Sequence, residues 1–263
     1  MKISTIYFSP TGNTKKSVNE MASAIAFHIA KKSNIDAGSS QAFAEYDSSV
    51  GKYAAAENDI IFASDDFVIF GAPVYAGRIP EVAKMRLLKF KGTQTPCIIV
   101  ASYGNRHYDD ALLEMKDMVE ANGFVVKGGA AVIGRHTYGE IQVDRPNAAD
   151  MVQMAEFAVK AFENENVSVN IPGNPVYREG GKGGKFKPST LDTCVKCGIC
   201  KRNCPVNAIN DDFSVFEPDC ISCFRCIRNC PVKAKVMNSE SYLQFAEDFT
   251  NKLAQRRENE FFL

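Results

Sequence analysis

"MKISTIYFSPTGNT", residues 1–14, runs from a short apolar segment, "ISTIYF" (3–8), through a Ser-Pro-Thr-Gly turn into a helical pattern over 13–31. A buried strand that ends in small hydroxyl residues and reopens as a helix gathers unpaired backbone N–H groups around one anion-sized space. The first turn of a helix is partly positive, so a phosphate binds there without a basic side chain. The candidate anion-binding residues are Ser9, Thr11, Gly12, Asn13 and Thr14. On "SPTGNT" (9–14) alone, ordinary capping of a helix by Ser and Thr competes with that reading.

The same alternation continues downstream. "FVIFGA" (67–72), "CIIVAS" (97–102) and "AAVIG" (130–134) read as buried strands, with a weaker strand near Gln41 to Tyr46. Helical patterns lie between them at 80–90, 109–122 and 148–163. Strands alternating with helices give an α/β domain with a parallel sheet. In a doubly wound sheet, ligands bind at the carboxyl ends of the strands. "GAPVYAGRIP" (71–80) and "ASYGNRHYDD" (101–110) therefore converge with "SPTGNT" on one crevice.

Two residues after the last strand are candidates for work on a small substrate: His136, which titrates near neutral pH, and Arg145, which suits an anion. The competing reading makes Asp144 the cap of a helix beginning around Pro146 and leaves Arg145 solvated. Cys97, within an apolar strand, reads as a small core residue, and His28 as an ordinary helix residue.

Periodicity fails between about 166 and 189, where "NPVYREGGKGGKFKPS" (174–189) has the composition of a flexible connection. Its "GGKGGK" lacks the Gly at 179 and the Ser or Thr at 186 that a phosphate-binding G-x-x-x-x-G-K-[ST] loop needs. Beyond it stand "DTCVKCGICKRNCP" (192–205) and "PDCISCFRCIRNCP" (218–231), two blocks of four cysteines at one spacing.

In the C-x2-C-x2-C-x3-C-P run, three closely spaced thiolates face one iron-sulfur cubane and the fourth is directed to the other. Two copies imply two cross-stitched [4Fe-4S] clusters, one on Cys194, Cys197, Cys200 and Cys230, the other on Cys220, Cys223, Cys226 and Cys204. Zinc is the alternative, but zinc ribbons separate two C-x2-C pairs by a dozen or more residues.

Composition narrows the partners. Lys+Arg and Asp+Glu both number 31, which argues against nucleic acid as the main partner. No apolar run approaches the ~18 residues of a membrane span, and the opening strand is too short for a secretory signal. Nine cysteines in such a chain point to metal chemistry in a reducing compartment, so a cytoplasmic protein is expected. The last residues form a helix with Tyr242, Leu243, Phe245, Ala246, Phe249 and Leu253 near one face. The apolar tail "EFFL" (260–263) offers a contact to a second copy, hence a homodimer.

On these motifs residues 1–165 resemble flavodoxin: Ser9, Thr11, Gly12 and Thr14 match its [S/T]-x-T-G-x-T loop position by position. Residues 190–238 resemble a bacterial two-cluster ferredoxin, and the whole resembles the flavodoxin-ferredoxin fusion proteins of anaerobic microbes. The resemblance implies a doubly wound, five-stranded parallel sheet of order 2-1-3-4-5, a connecting segment over 166–189, a small α+β ferredoxin domain, and a C-terminal helix over 239–263.

It also implies FMN, with the first loop on its phosphate. Pro73, Val74, Tyr75, Ala76, Gly77 and Arg78, together with Ser102, Tyr103, Gly104, Asn105, Arg106 and Tyr108, would flank the isoalloxazine ring, with Tyr75, Tyr103 or Tyr108 as its aromatic face. The chain departs from many flavodoxins in having no Trp and in placing Arg78 and Arg106 where acidic loops are common. The implied function is electron transfer between FMN, two [4Fe-4S] clusters and a ferredoxin-linked redox protein. The alternatives are an FMN-dependent reductase of a small substrate, using His136 or Arg145, and an iron-sulfur sensor or structural module.

Overall fold

The protein, described by a computed structural model, is placed over residues 1–33, 43–55, 58–166 and 168–263. Its first strand, β1 (Ile3–Tyr7), is buried along its whole length. Gly12, in the left-handed conformation at φ 93°, turns the chain into α1 (Asn13–Lys32). Val18, Met21, Ala22 and Ile25 recur at helical spacing along α1 and are buried against the sheet.

There follow β2 (Ala44–Asp47), β3 (Ile60–Phe62), β4 (Phe67–Pro73), α2 (Glu81–Leu87), β5 (Phe90–Gly92), β6 (Thr95–Tyr103), α3 (Ala111–Ala121), β7 (Phe124–Ile133) and α4 (Ala148–Phe162). The strands β2, β1, β4, β6 and β7 lie side by side and parallel in that order. Taken as the first to fifth strands of the sheet, they have the order 2-1-3-4-5. The domain is thus flavodoxin-like, with α1 and α4 packed on one face and α2 and α3 on the other.

Several sequence expectations are revised. β7 begins at Phe124, six residues before the expected 130, because Lys127, Gly128 and Gly129 interrupt its apolar run. Glycine is needed in that strand for packing: a methyl on Gly128 would come within 2.7 Å of the Ala161 side chain on α4. The weak strand is β2; Gln41 and Ala42, at its expected start, lie outside the described residues. A small parallel pair, β3 with β5, was not expected.

The connection over 166–189 is laid on the body rather than free. Val169 and Ile171 are buried in the main core. The buried Asp110 carboxylate accepts the backbone N–H groups of Asn174 (2.9 Å) and Arg178 (2.8 Å). The cysteine region then holds β8 (Ser189–Thr190), the short helices α5 (Ile199–Arg202) and α6 (Arg225–Arg228), and β9 (Lys235–Val236), which pairs antiparallel with β8.

The C-terminal segment is a helix followed by a strand. α7 (Glu240–Lys252) starts at a Ser239 cap and packs Tyr242, Phe245 and Ala246 into a satellite core with Phe186 and Phe224, while Leu243 stays 55% exposed. The chain then returns as β10 (Glu260–Phe262), a sixth strand antiparallel to β7. Phe261 stacks on Phe157 of α4 with ring centroids 4.8 Å apart. The tail expected to meet a second copy therefore covers the edge of its own sheet, which removes an exposed ladder of backbone groups. Among the described residues no helix is long and apolar enough to cross a membrane.

Candidate cofactor and iron-sulfur sites

At the carboxyl ends of β1, β4, β6 and β7 lies an open cavity of about 280 Å³, in the place where ligands bind in doubly wound sheets. One end is the first turn of α1, where Thr11, Asn13 and Thr14 line the wall. Ser9 Oγ accepts the Lys15 N–H at 3.0 Å, which fixes the turn. Among the described residues the amides of Thr11, Gly12, Asn13 and Thr14 find no acceptor. These free donors are what an anion at this end would use.

Toward the other end the wall is formed by Pro73, Val74, Tyr75, Ala76, Ser102, Tyr103, Gly104 and Arg106. Arg106, Arg135 and Lys182 are the charged side chains lining the cavity, and none of its lining residues is a carboxylate. Arg106 is ion-paired with Asp109 and Arg135 with Glu140, which leaves Lys182 as the lining cation without a carboxylate partner among the described residues. Burial lowers the Arg106 pKa, and nearby Arg178 and Arg257 lower it further.

Four residues expected at the ring lie elsewhere. Arg78 turns away to pair with Glu114 (2.6 Å) and lies over the Tyr177 ring. Gly77 packs against Asp109, leaving no room for a side chain. Asn105 donates to the backbone of Leu253 (2.9 Å) and Gln255 (2.8 Å), tying down the segment after α7. Tyr108 donates to Glu260 at 2.8 Å.

The two substrate candidates separate as well. Arg145 is fully buried, with a forked ion pair to Asp150 and a 2.6 Å bond to the Arg257 carbonyl. Its fork is saturated by the protein, so it does not face the cavity. The cap of α4 is Asn147, in a reciprocal box with Asp150, and not Asp144. His136 does line the cavity, but burial first, with Arg106 and Arg228 adding to it, lowers its pKa to about 4. It is neutral at physiological pH.

Sequence reasoning missed the outer wall. Tyr138, Phe245 and Phe249 supply aromatic surface, and Lys182, Gly183 and Gly184 of the "GGKGGK" segment run alongside. Ile221 and Ser222, between the first two cysteines of the second block, close the cavity. Ser222 donates to the Gly184 carbonyl at 2.7 Å, and Gly181 donates to the Tyr75 carbonyl at 2.9 Å. The glycine-rich segment is a strap between the loop after β4 and the cysteine loop. The Tyr75 hydroxyl, screened from solvent and near Cys223 and Cys220, is held well above its ordinary pKa of 10.

The eight cysteines of the repeats divide between two small cavities of similar size. One is lined by Cys194, Cys197, Cys200 and Cys230. The other is lined by Cys204, Cys220, Cys223 and Cys226. In each, a repeat alanine donates its N–H to the distant cysteine: Ala234 to Cys230 Sγ at 3.1 Å and Ala208 to Cys204 Sγ at 3.3 Å. Four thiols lining one small cavity, one of them accepting an amide N–H, are the donor set of an iron-sulfur cubane. Cys97 is buried in the main core, far from these sets in the fold.

Residues 190–210 match the family described as a 4Fe-4S binding domain. The matched stretch contains Cys194, Cys197, Cys200 and Cys204 of the first block. No curated protein matches the chain.

Among solved structures, the flavodiiron core of Flv1 from Synechocystis sp. PCC6803 is 17% identical at a TM-score of 0.41, covering 62% of this chain and 35% of that one. A flavodoxin from the domain Archaea is 13% identical at 0.38, covering 63% and 100%. The rubredoxin oxygen:oxidoreductase of the anaerobe Desulfovibrio gigas is 14% identical at 0.41, covering 61% and 35%. This chain thus spans about a third of the first and third of these proteins. The fold rests on the strand order, and the 4Fe-4S segment on its cysteines.

Proposed function

We propose that the chain is an electron-transfer iron-sulfur flavoprotein, with FMN in the large cavity and two [4Fe-4S] clusters on the two cysteine sets. The observation that carries this reading is the shared wall: Ile221 and Ser222, flanked by Cys220 and Cys223, line the same cavity as Thr11, Asn13 and Thr14. A flavin and a cluster held there are immediate neighbours. FMN interconverts one- and two-electron transfer, and each cluster carries single electrons.

The protein's own residues have distinct parts. The free amides at the start of α1 hold the phosphate end, Lys182 balances charge, and Tyr138, Phe245 and Phe249 exclude water from the outer face. The cavity of Cys204, Cys220, Cys223 and Cys226 is the inner one. The other set lies outward, with Cys197 exposed and Val195 (62%) and Val232 (43%) bare beside it. A protein partner would exchange electrons there. The reductase reading is weakened because Arg145 is committed to Asp150 and His136 is held neutral.

No G-x-G-x-x-G dinucleotide fingerprint follows a strand in this sequence, and the strand-to-helix turn at Gly12 is taken by the phosphate end of FMN in this reading. Anaerobic stopped-flow mixing tests the reading. Reduced ferredoxin, or dithionite in its place, is expected to reduce clusters and flavin together, while NADH or NADPH alone reduces the flavin slowly. Saturable flavin bleaching by NADH or NADPH at catalytic rates would establish a self-sufficient reductase instead.

A further inference from the structure

The two cysteine blocks are near copies, so the places where they differ are informative. Gly198 follows Cys197 in the first block, in the left-handed conformation at φ 74°, and Ile199 comes next. The second block has the same backbone, at φ 59°, but with Phe224 and Arg225 in these positions. A bulky side chain is disfavoured at positive φ, where the repeat shows that glycine serves. Phe224 is kept there with its ring buried against Tyr242 and beside Tyr138.

Arg225, the next residue, crosses to the other domain. Its Nη1 donates to the carbonyls of Ser9 (3.3 Å) and Pro10 (3.0 Å), in the turn whose Thr11, Asn13 and Thr14 line the cavity. Its Nε is buried without a partner among the described residues, a cost that marks the arginine as retained for something other than stability. The Pro10 carbonyl belongs to the peptide that carries the Thr11 N–H, so a cation bonded to that oxygen orients this dipole and presents its N–H end on the opposite side, while the bond to the Ser9 carbonyl, whose peptide nitrogen is Pro10 and has no N–H, fixes the turn.

We infer that Arg225 is a positioning residue for the phosphate end of the flavin site, through which flavin affinity is tied to the folding of the inner cysteine loop around its cluster. The inference rests on the reading of the cavity as an FMN site. The corresponding residue of the first block, Ile199, has no such duty. The outer cluster is therefore expected to load without affecting the flavin.

Fluorescence titration of the cluster-loaded protein with FMN and with riboflavin, which lacks the phosphate, tests this. Arg225→Met is expected to weaken FMN by ~10- to 100-fold, the usual effect of losing hydrogen bonds from a charged donor, and to leave riboflavin within about twofold. Arg225→Lys, which keeps the charge, is expected to fall between. Equal losses for FMN and riboflavin, or no loss for either, would overturn the inference. A second pair guards against a variant that does not fold: Cys220→Ser should weaken FMN, and Ile199→Ala, at the position of the first block that matches Arg225, should not. Equal effects of these two would also overturn it. Failure of the wild-type protein to bind FMN would instead refute the flavin site itself.

Discussion

Gly183 lies against the backbone of Ile221 with no space for a side chain. A methyl on Gly183 would stand 2.7 Å from the Ile221 carbonyl carbon and 2.8 Å from the Cys220 carbonyl oxygen. The strap and the inner cysteine loop meet here, at the edge of the cavity that both line.

Gly183→Ala should therefore destabilise the protein by ~1–3 kcal/mol, the range for overpacking against atoms that cannot swing aside. Denaturant unfolding measures it. An unchanged midpoint would mean that the strap and the cysteine loop are not packed together in solution.

A glycine-rich segment reads from sequence as freedom, because glycine serves flexible linkers and close backbone contacts alike. Only the fold shows which. The β1–turn–α1 unit, by contrast, was legible, since strand, turn and helix are contiguous and each has its own pattern. The cysteine sets were legible through their repeat. The aromatic wall was not: Tyr138, Phe245 and Phe249 come from distant parts of the chain and carry no local signature. β10 escaped because three residues are too few to show an alternation, and Arg145 misled because a buried arginine and a ligand-binding one look the same in sequence.

Arg145 and Asp150 should act on stability rather than on the cavity. Both are buried, and removing one partner leaves an uncompensated charge, costing ~3–5 kcal/mol. Arg145→Met is expected to lower the unfolding midpoint accordingly while FMN affinity stays unchanged. A variant of full stability that fails to turn over a small substrate would restore Arg145 to a substrate site.

The same pair sets an acid limit. Burial by itself would raise the Asp150 pKa, but the bonds from Arg145, the Asn147 N–H and Asn259 more than offset it and hold it below 3.8. A depressed carboxyl pKa contributes stability that is present above the unfolded value and lost as pH falls through the folded one. Stability should therefore fall below about pH 4. In Asp150→Asn this part of the acid dependence should vanish, as unfolding curves measured between pH 5 and pH 3 would show.

His136 gives a second, separate window. Unfolded it titrates near 6.5, and folded near 4. Between these values the unfolded chain takes a proton that the folded chain refuses, so stability declines as pH drops from 6.5 toward 4. An NMR titration of the ring should show the neutral form throughout pH 5–8. A midpoint near 6.5 would place the imidazole in solvent.

Cross-ligation is tested by Cys204→Ala. Although Cys204 belongs to the first block in sequence, its thiol lines the cavity of Cys220, Cys223 and Cys226. Electron paramagnetic resonance of the reduced variant should show the cluster of the second block damaged and that of Cys194, Cys197 and Cys200 retained. Loss confined to the first block would mean that each block holds its own cluster.

That one chain joins a flavin to two iron-sulfur clusters is tested by the content of the protein purified without oxygen. Iron, acid-labile sulfide, zinc and flavin are measured on one sample. About eight irons, about eight sulfides and about one FMN per chain are expected. Stoichiometric zinc without sulfide, or clusters in a protein that neither contains nor binds FMN, would contradict it.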